Sequence, residues 1–439
     1  MISPRYFIRL LSAFLARFRA LLFIGVIFGI IVFLLLRFVS PLVFGKTTER
    51  IGITGRYRTN NLPEFILDMV GDGLTSTNEA GVVEPNLATS WETPDKGKTW
   101  IFYLKEGVLW QDGKKVTSET INYEFSDVVV ERPDEATLVF KLKDPFSPFP
   151  SVVSRPVFKR GLLGTGEWKV TKATLAGGFV QKLIVTDRQK NKKIYKFYPT
   201  EERTKTAYKL GEVDTLVNIL NPTPFDTWKT AKVEEDVDRG RVALIFFNVQ
   251  DKLLSEKSLR QALTYAVNKK EFRGGRALSP ISPDSWVYNP QVKEYSYDPE
   301  RAQDLIDDLA DELKEDLKVK LITTPVLLPV AEKMASDWKK VGVTPIVQVY
   351  SGIPTDYQAF LAIFEIPADP DQYAIWHSTQ TTNISKYQNP RIDKLLEDGR
   401  IELDFENRRK IYLDFQRFLV EDSPAAFLYH PVSYTITRK

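Results

Sequence analysis

The spacing of apolar residues along this chain changes character three times. Ala20–Leu36 ("ALLFIGVIFGIIVFLLL") is an unbroken apolar run, and further apolar residues follow Arg37 to Phe44. About 20 apolar residues cross a bilayer as a helix, so the pattern predicts one transmembrane helix over 20–44. Residues 82–145 alternate instead: "TWIFYLKEGVLW" and "EATLVFKLKD" read as strands, and "TPDKGK" and "QDGKK" as turns. This is a β meander, with a short helix expected at "ETINYEF" behind Ser118. A short strand "RIGITGRY" precedes it. A second strand-rich stretch, 164–200, leads into a helix "ERTKTAYKL" closed by Gly211. From strand 242–250 ("VALIFFNVQ") onward the pattern is α/β. An amphipathic helix is expected at 256–269. Asp298–Pro299 opens "ERAQDLIDDLADELKE", strands "KVKLIT" and "TPIVQVY" flank helix "VAEKMASDWKKVG", and Asn389–Pro390 opens another helix. Asp404 caps "FENRRKIYLDFQRFLVED", and a terminal strand "AAFLYHPVSYTI" follows Ser423–Pro424.

Charge gives the apolar run a direction. Arg5, Arg9, Arg17 and Arg19 precede it, and the first acidic residue is Glu49. The positive-inside rule puts the N-terminus in the cytoplasm and the rest outside, a single-pass protein of the cell membrane. A cleaved signal peptide is the alternative. The run is long for such a peptide, and "VSPLVFGKT" offers no A-x-A-like site. Arg5–Leu21 is either an amphipathic helix on the inner leaflet or an unstructured flank. Without the five early arginines, the formal +3 becomes about −2, which is not the balance of a nucleic-acid-binding surface. The absence of cysteine excludes disulfides, thiolate metal sites and a cysteine nucleophile. Such a domain must be held by its core, and this length divides into at least two lobes.

Several segments in order resemble the family 5 extracellular solute-binding proteins, the peptide- and nickel-binding group that serves ABC importers. They are "PNLATSWETPDKGKTWIFYLKEGVLWQDGKKVTSETINYEF", "GTGEWKV", "AYKLGEVDTL", "SLRQALTYAVNKKEF", "YSYDPERAQDLI" and "YQNPRIDKLLEDGR" with the helix after it. The resemblance implies a mixed α/β, two-lobed periplasmic-binding-protein-like (flytrap) fold behind the transmembrane helix. After a basic segment (1–19) and the anchor (20–44), the first lobe would take 45–72, 160–240 and 425–439. A β-rich subdomain would take 73–159 and the second lobe 241–424. Crossovers would fall near Arg241–Asn248 and Asp422–His430. The family's helical insertion between "NYEFSDV" and "RPDEATLVFKL" is missing, so the subdomain is trimmed. The partners implied are a small-molecule or peptide ligand, a short peptide above all, an ABC importer permease, and the membrane through the N-terminal helix.

The same resemblance puts "AIFEIPADPDQYAIWHS" (362–378) at the cleft edge. Its candidate ligand-binding residues are Ile363, Glu365, Ile366, Asp369, Tyr373 and Trp376. Family peptide binders carry an aspartate three residues before an acidic–Pro pair, where it neutralises the peptide's amino group. Here the pair is Asp369–Pro370 and the matching residue is Ile366, with Glu365 beside it. Adjacent strand residues face opposite sides, so Glu365 replaces that aspartate only if the register shifts by one. Trp91, Trp100 and Trp110 read as packed core rather than a ligand face. His377 and His430, the only histidines, are too far apart in sequence to suggest a metal site. No G-x-S-x-G, H-E-x-x-H or phosphate-binding glycine loop is present, so no enzyme, cofactor or metal is expected. A second expectation is a non-transport ectodomain (sensor, scaffold or envelope-assembly protein) that keeps this fold.

Overall fold

The computed structural model describes residues 17, 18, 25, 27–31, 33 and 47–439. The expected transmembrane helix over 20–44, like the basic segment before it, lies largely outside them. Among the described residues no helix is long and apolar enough to cross a membrane.

Two large sheets form two lobes. The first has seven strands in the order Ala231–Val237, Val432–Arg438, Thr215–Ile219, Thr48–Thr54, Lys192–Tyr198, Phe179–Thr186 and Lys169–Ala176. The second has six: Gly275–Arg276, Ala425–His430, Arg241–Phe247, Ala359–Glu365, Lys318–Thr323 and Thr344–Val349. A four-stranded meander, Ala88–Glu92, Thr99–Leu104, Thr137–Lys141 and Val129–Asp134, makes the trimmed subdomain.

The run "VALIFF" looks continuously apolar because both faces of its strand are covered. Ala243, Ile245 and Phe247 pack under helices Lys257–Tyr265, Pro299–Asp307 and Leu328–Lys340. Val242, Leu244 and Phe246 join the core beneath Pro390–Ile401 and Phe405–Asp422. Arg260, of the "SLRQALTYAVN" helix, is buried and donates to the carbonyls of Leu254, Ser255, Asp422 and Ser423. It thereby satisfies the C-terminal carbonyls of the long helix just ahead of the crossover. Asp298, Asn389 and Asp404 each cap the helix their spacing marks, accepting backbone N–H bonds from Arg301, from Arg391 and Ile392, and from Asn407.

Three expectations change. The helix at "ETINYEF" is one 3-10 turn, Ser118–Thr120. Ile121, Tyr123 and Phe125 recur at a spacing of two and enter one core, which requires extended backbone. "ERAQDLIDDLADELKE" divides into helices Pro299–Asp307 and Asp311–Lys314. The terminal strand divides too. Ala425–His430 pairs with Arg241–Phe247 in the second sheet, whereas Val432–Arg438 lies in the first. The boundary placed at 425 therefore falls at Pro431. The other crossing is Asp238–Gly240, between strands Ala231–Val237 and Arg241–Phe247. The two crossings touch, since the Asp238 N–H donates to the Pro431 carbonyl at 2.9 Å.

Candidate ligand cleft between the lobes

Strand Ala359–Glu365 runs antiparallel to Arg241–Phe247, with Glu365 opposite Arg241. The Ile366 N–H then donates to the Gly240 carbonyl at 2.7 Å, which ties the strand end to the crossing loop. Beside this point lies a cavity of about 820 Å³. Asn78–Gly81 of the subdomain, Asn218, Glu235–Gly240 and Ser433 of the first lobe and crossing, and Ser282, Asp284, Ser285 and Ile366–Ala368 of the second lobe line it. Its volume lies within the range of ordinary small-molecule sites.

The lining is acidic: Glu79, Glu235, Asp236, Asp238 and Asp284 face one cation, Arg239. Arg239 is held by Asp284 at 2.6 Å, Asp238 by Arg241 at 2.6 Å, and Glu235 by Arg273 at 3.5 Å. Among the described residues, the Glu79 and Asp236 carboxylates have no hydrogen-bond or ion-pair partner. A cationic group entering the cavity meets unneutralised charge there, while an anionic one finds only an Arg239 already paired.

The six candidates do not converge. Ile366 lines this cavity, whereas Ile363 lies on the opposite sheet face, against another hollow that contains Leu220, Phe272 and Tyr434. Glu365 is exposed and sits within electrostatic reach of Tyr57. Burial first, and the Glu365 carboxylate next, push the Tyr57 hydroxyl above its usual range, with Arg241 opposing. Asp369 is committed to Arg408 in a two-pronged pair at 2.6 and 3.0 Å. Trp376 is buried at 1% exposure and donates to Gln372. Tyr373 stacks on His377 with ring centroids 4.0 Å apart, and it borders a second cavity of about 470 Å³ between subdomain and second lobe. Trp100 and Trp110 are core and Trp91 packs against it. The His430 Nδ1–H donates to the Arg241 carbonyl, 2.8 Å away. No group of three His, Cys, Asp or Glu side chains among the described residues is placed to hold a metal ion.

Sequence reasoning passed over Asn78–Gly81 and Glu235–Gly240. The visible signal was the acidic stretch "EEDVDRG" immediately before the expected crossover.

The subdomain and the second lobe meet across the cleft. The Trp286 N–H donates to the Ala80 carbonyl at 2.9 Å and the Ser147 N–H to the Arg400 carbonyl at 2.7 Å. The Arg400 guanidinium lies 4.8 Å from the Phe146 ring centroid and 4.4 Å from that of Tyr373. Gly81 (φ +79°) faces the Ala368 carbonyl so closely that a Cβ there would sit 2.5 Å from its oxygen.

Two lobes joined by paired crossing strands, with a cleft lined from both sides, define a periplasmic-binding-protein fold. The family model of the bacterial extracellular solute-binding proteins, family 5 (middle), matches residues 82–385, and the chain belongs to that family. The dipeptide-binding protein of Escherichia coli (strain K12) is 26% identical over 453 residues, covering 81% of this chain and 82% of its own. NikZ from Campylobacter jejuni, solved in complex with Ni(L-His), superposes with a TM-score of 0.72 at 21% identity, covering 89% of this chain and 94% of that one. The oligopeptide-binding protein AppA from Bacillus subtilis, solved with a nonapeptide, gives 0.68 at 19% identity, covering 90% and 95%. The family is one of binding proteins rather than enzymes.

Proposed function

We propose that this protein is a membrane-anchored extracytoplasmic solute-binding protein that captures a ligand with a cationic end, a short peptide above all, for an ABC importer. The observation that carries this reading is the acidic cavity at the crossing strands, which draws its lining from both lobes. A ligand that touches both lobes stabilises the closed arrangement by the difference in its contacts between the two states. The peptide-binding relatives support the ligand class. The apolar run 20–44 supports the anchor, which would keep the binder beside its permease.

Thermal-shift screening of the full-length protein in detergent, against di- and tripeptide pools, sugars and metal ions, tests this. A ligand at about 100 times its Kd adds about 2.7 kcal/mol of stability, enough for a shift of several degrees. No shift with any pool refutes ligand capture. Ile366 favours the second reading, a non-transport ectodomain, because it leaves the family's amine-binding position uncharged. Flat melting curves with all pools would turn the account to that reading.

A further inference from the structure

We infer that the end of the first lobe farthest from the crossing strands rests on anionic lipid headgroups of the leaflet from which the chain emerges. This rests on the membrane anchor proposed above.

The chain joins the fold at that end. Thr47 donates to Asn191 Oδ1 through both its N–H and its hydroxyl at 3.1 Å, and its carbonyl accepts from the Lys192 N–H at 2.8 Å. From Phe44, the last residue of the expected anchor, to Thr48 there are four residues, which reach at most about 14 Å. The bilayer surface is therefore within that distance of the sheet's edge.

Strand register shows what else is there. Thr48 is level with Lys192, and Thr186 is level with both Lys192 and Lys169. Ile51 pairs with Thr215, so the turn Lys209–Asp214 opens at the same end. Ala231 pairs with Arg438, which places Lys229 there also. Arg188, Lys190, Lys192, Lys209 and Lys229 are all exposed, and Leu210 between them is 71% exposed.

The carboxylates of this end are largely engaged. Asp187 accepts from Asn191, Asp214 from Arg50, and Glu212 from the Tyr198 hydroxyl with Lys196 at 3.6 Å. Glu49 stands 3.9 Å from Lys193, and Glu167 is exposed nearby. Exposed basic side chains held inside the reach of a tether, around an apolar tip, complement a negatively charged leaflet. Each basic side chain within about 8 Å of that surface strengthens the contact by about fivefold. The strands of this sheet are about seven residues long, so the cleft stands roughly 23 Å farther from the bilayer, across the lobe.

The chain has no cysteine, which permits single labelling. Full-length Gln189→Cys and Glu312→Cys proteins, each carrying a donor dye, are placed in lipid nanodiscs with headgroup-linked acceptors. Glu312 is exposed at the opposite end of the second lobe. In phosphatidylglycerol–phosphatidylcholine discs at low salt, strong transfer is expected from position 189 and little from 312. The signal at 189 should fall at high salt, in pure phosphatidylcholine, and when Arg188, Lys190 and Lys192 are changed to Glu. Equal transfer from both positions, or transfer from 189 indifferent to lipid charge and salt, overturns the inference. A chain that never enters the discs refutes the anchor itself, and the inference with it.

Discussion

Glu365 and Ile366 are neighbours with opposite duties. The strand turns Ile366 toward the acidic cavity and leaves Glu365 exposed beside Tyr57 and Arg241. Glu365→Gln should therefore leave affinity for a peptide ligand within about twofold by calorimetry. On the proposed reading, Glu79 and Asp236, which line the cavity, take the place of the charge that the resemblance implies at position 366. Glu79→Gln with Asp236→Asn should weaken a cationic ligand by about tenfold or more, the worth of one charge-assisted hydrogen bond. Unchanged affinity in that double variant would refute the assignment. Asp369 serves stability instead. Its pair with Arg408 has side chains only 13% and 10% exposed. Asp369→Asn strands a buried guanidinium, so urea unfolding should show a loss of about 3 kcal/mol, whatever happens to binding. These distinctions were only partly legible. The D-P-D spacing marked the segment as special, but nothing in it revealed that Arg408, 39 residues on, would claim Asp369.

Among the elements, those with strong local signals came through with their caps: Asp298, Asn389 and Asp404 each open a helix where the sequence places it. Elements decided by tertiary contacts did not. "ETINYEF" satisfies helix propensity, but Tyr123 donates to the Val153 carbonyl at 2.7 Å and stacks with Phe125 over the subdomain core. Similarly, "AAFLYHPVSYTI" gives no local sign that Pro431 divides it between two sheets. His430, the last residue before that proline, is buried, and burial lowers its pKa below the ordinary imidazole value. Below about pH 6.5 the unfolded chain then binds a proton that the folded one resists. This contribution to stability is full above pH 6.5 and falls as pH drops. His430→Asn should make the urea midpoint decline less between pH 7.5 and about 5.5 than in the parent, and parallel declines would contradict this. At the cleft rim, Gly81 combines a positive φ with the close Ala368 carbonyl. Gly81→Ala should lower ligand affinity by about tenfold while costing about 1 kcal/mol in stability, because the added methyl meets the Ala368 carbonyl at the cavity wall.

On the scale of the whole molecule, the lobes, the crossing strands and the acidic cavity form one device. The two-lobed plan was legible because a β-rich first part followed by an α/β second part, with the family's segments in order, leaves few alternatives. The cavity was not, because Asn78–Gly81, Asn218, Glu235–Gly240, Ser282, Asp284, Ser285, Ile366–Ala368 and Ser433 lie far apart in sequence and meet only in the folded molecule. Closure around a cationic ligand is the central claim. Its most direct test is isothermal titration of the full-length protein with a short peptide and with the same peptide acetylated at its amino group. Saturable binding with a negative heat-capacity change, weakened at least about tenfold by acetylation, is the result this account expects. Equal binding of the two peptides, or binding of neither, would contradict it.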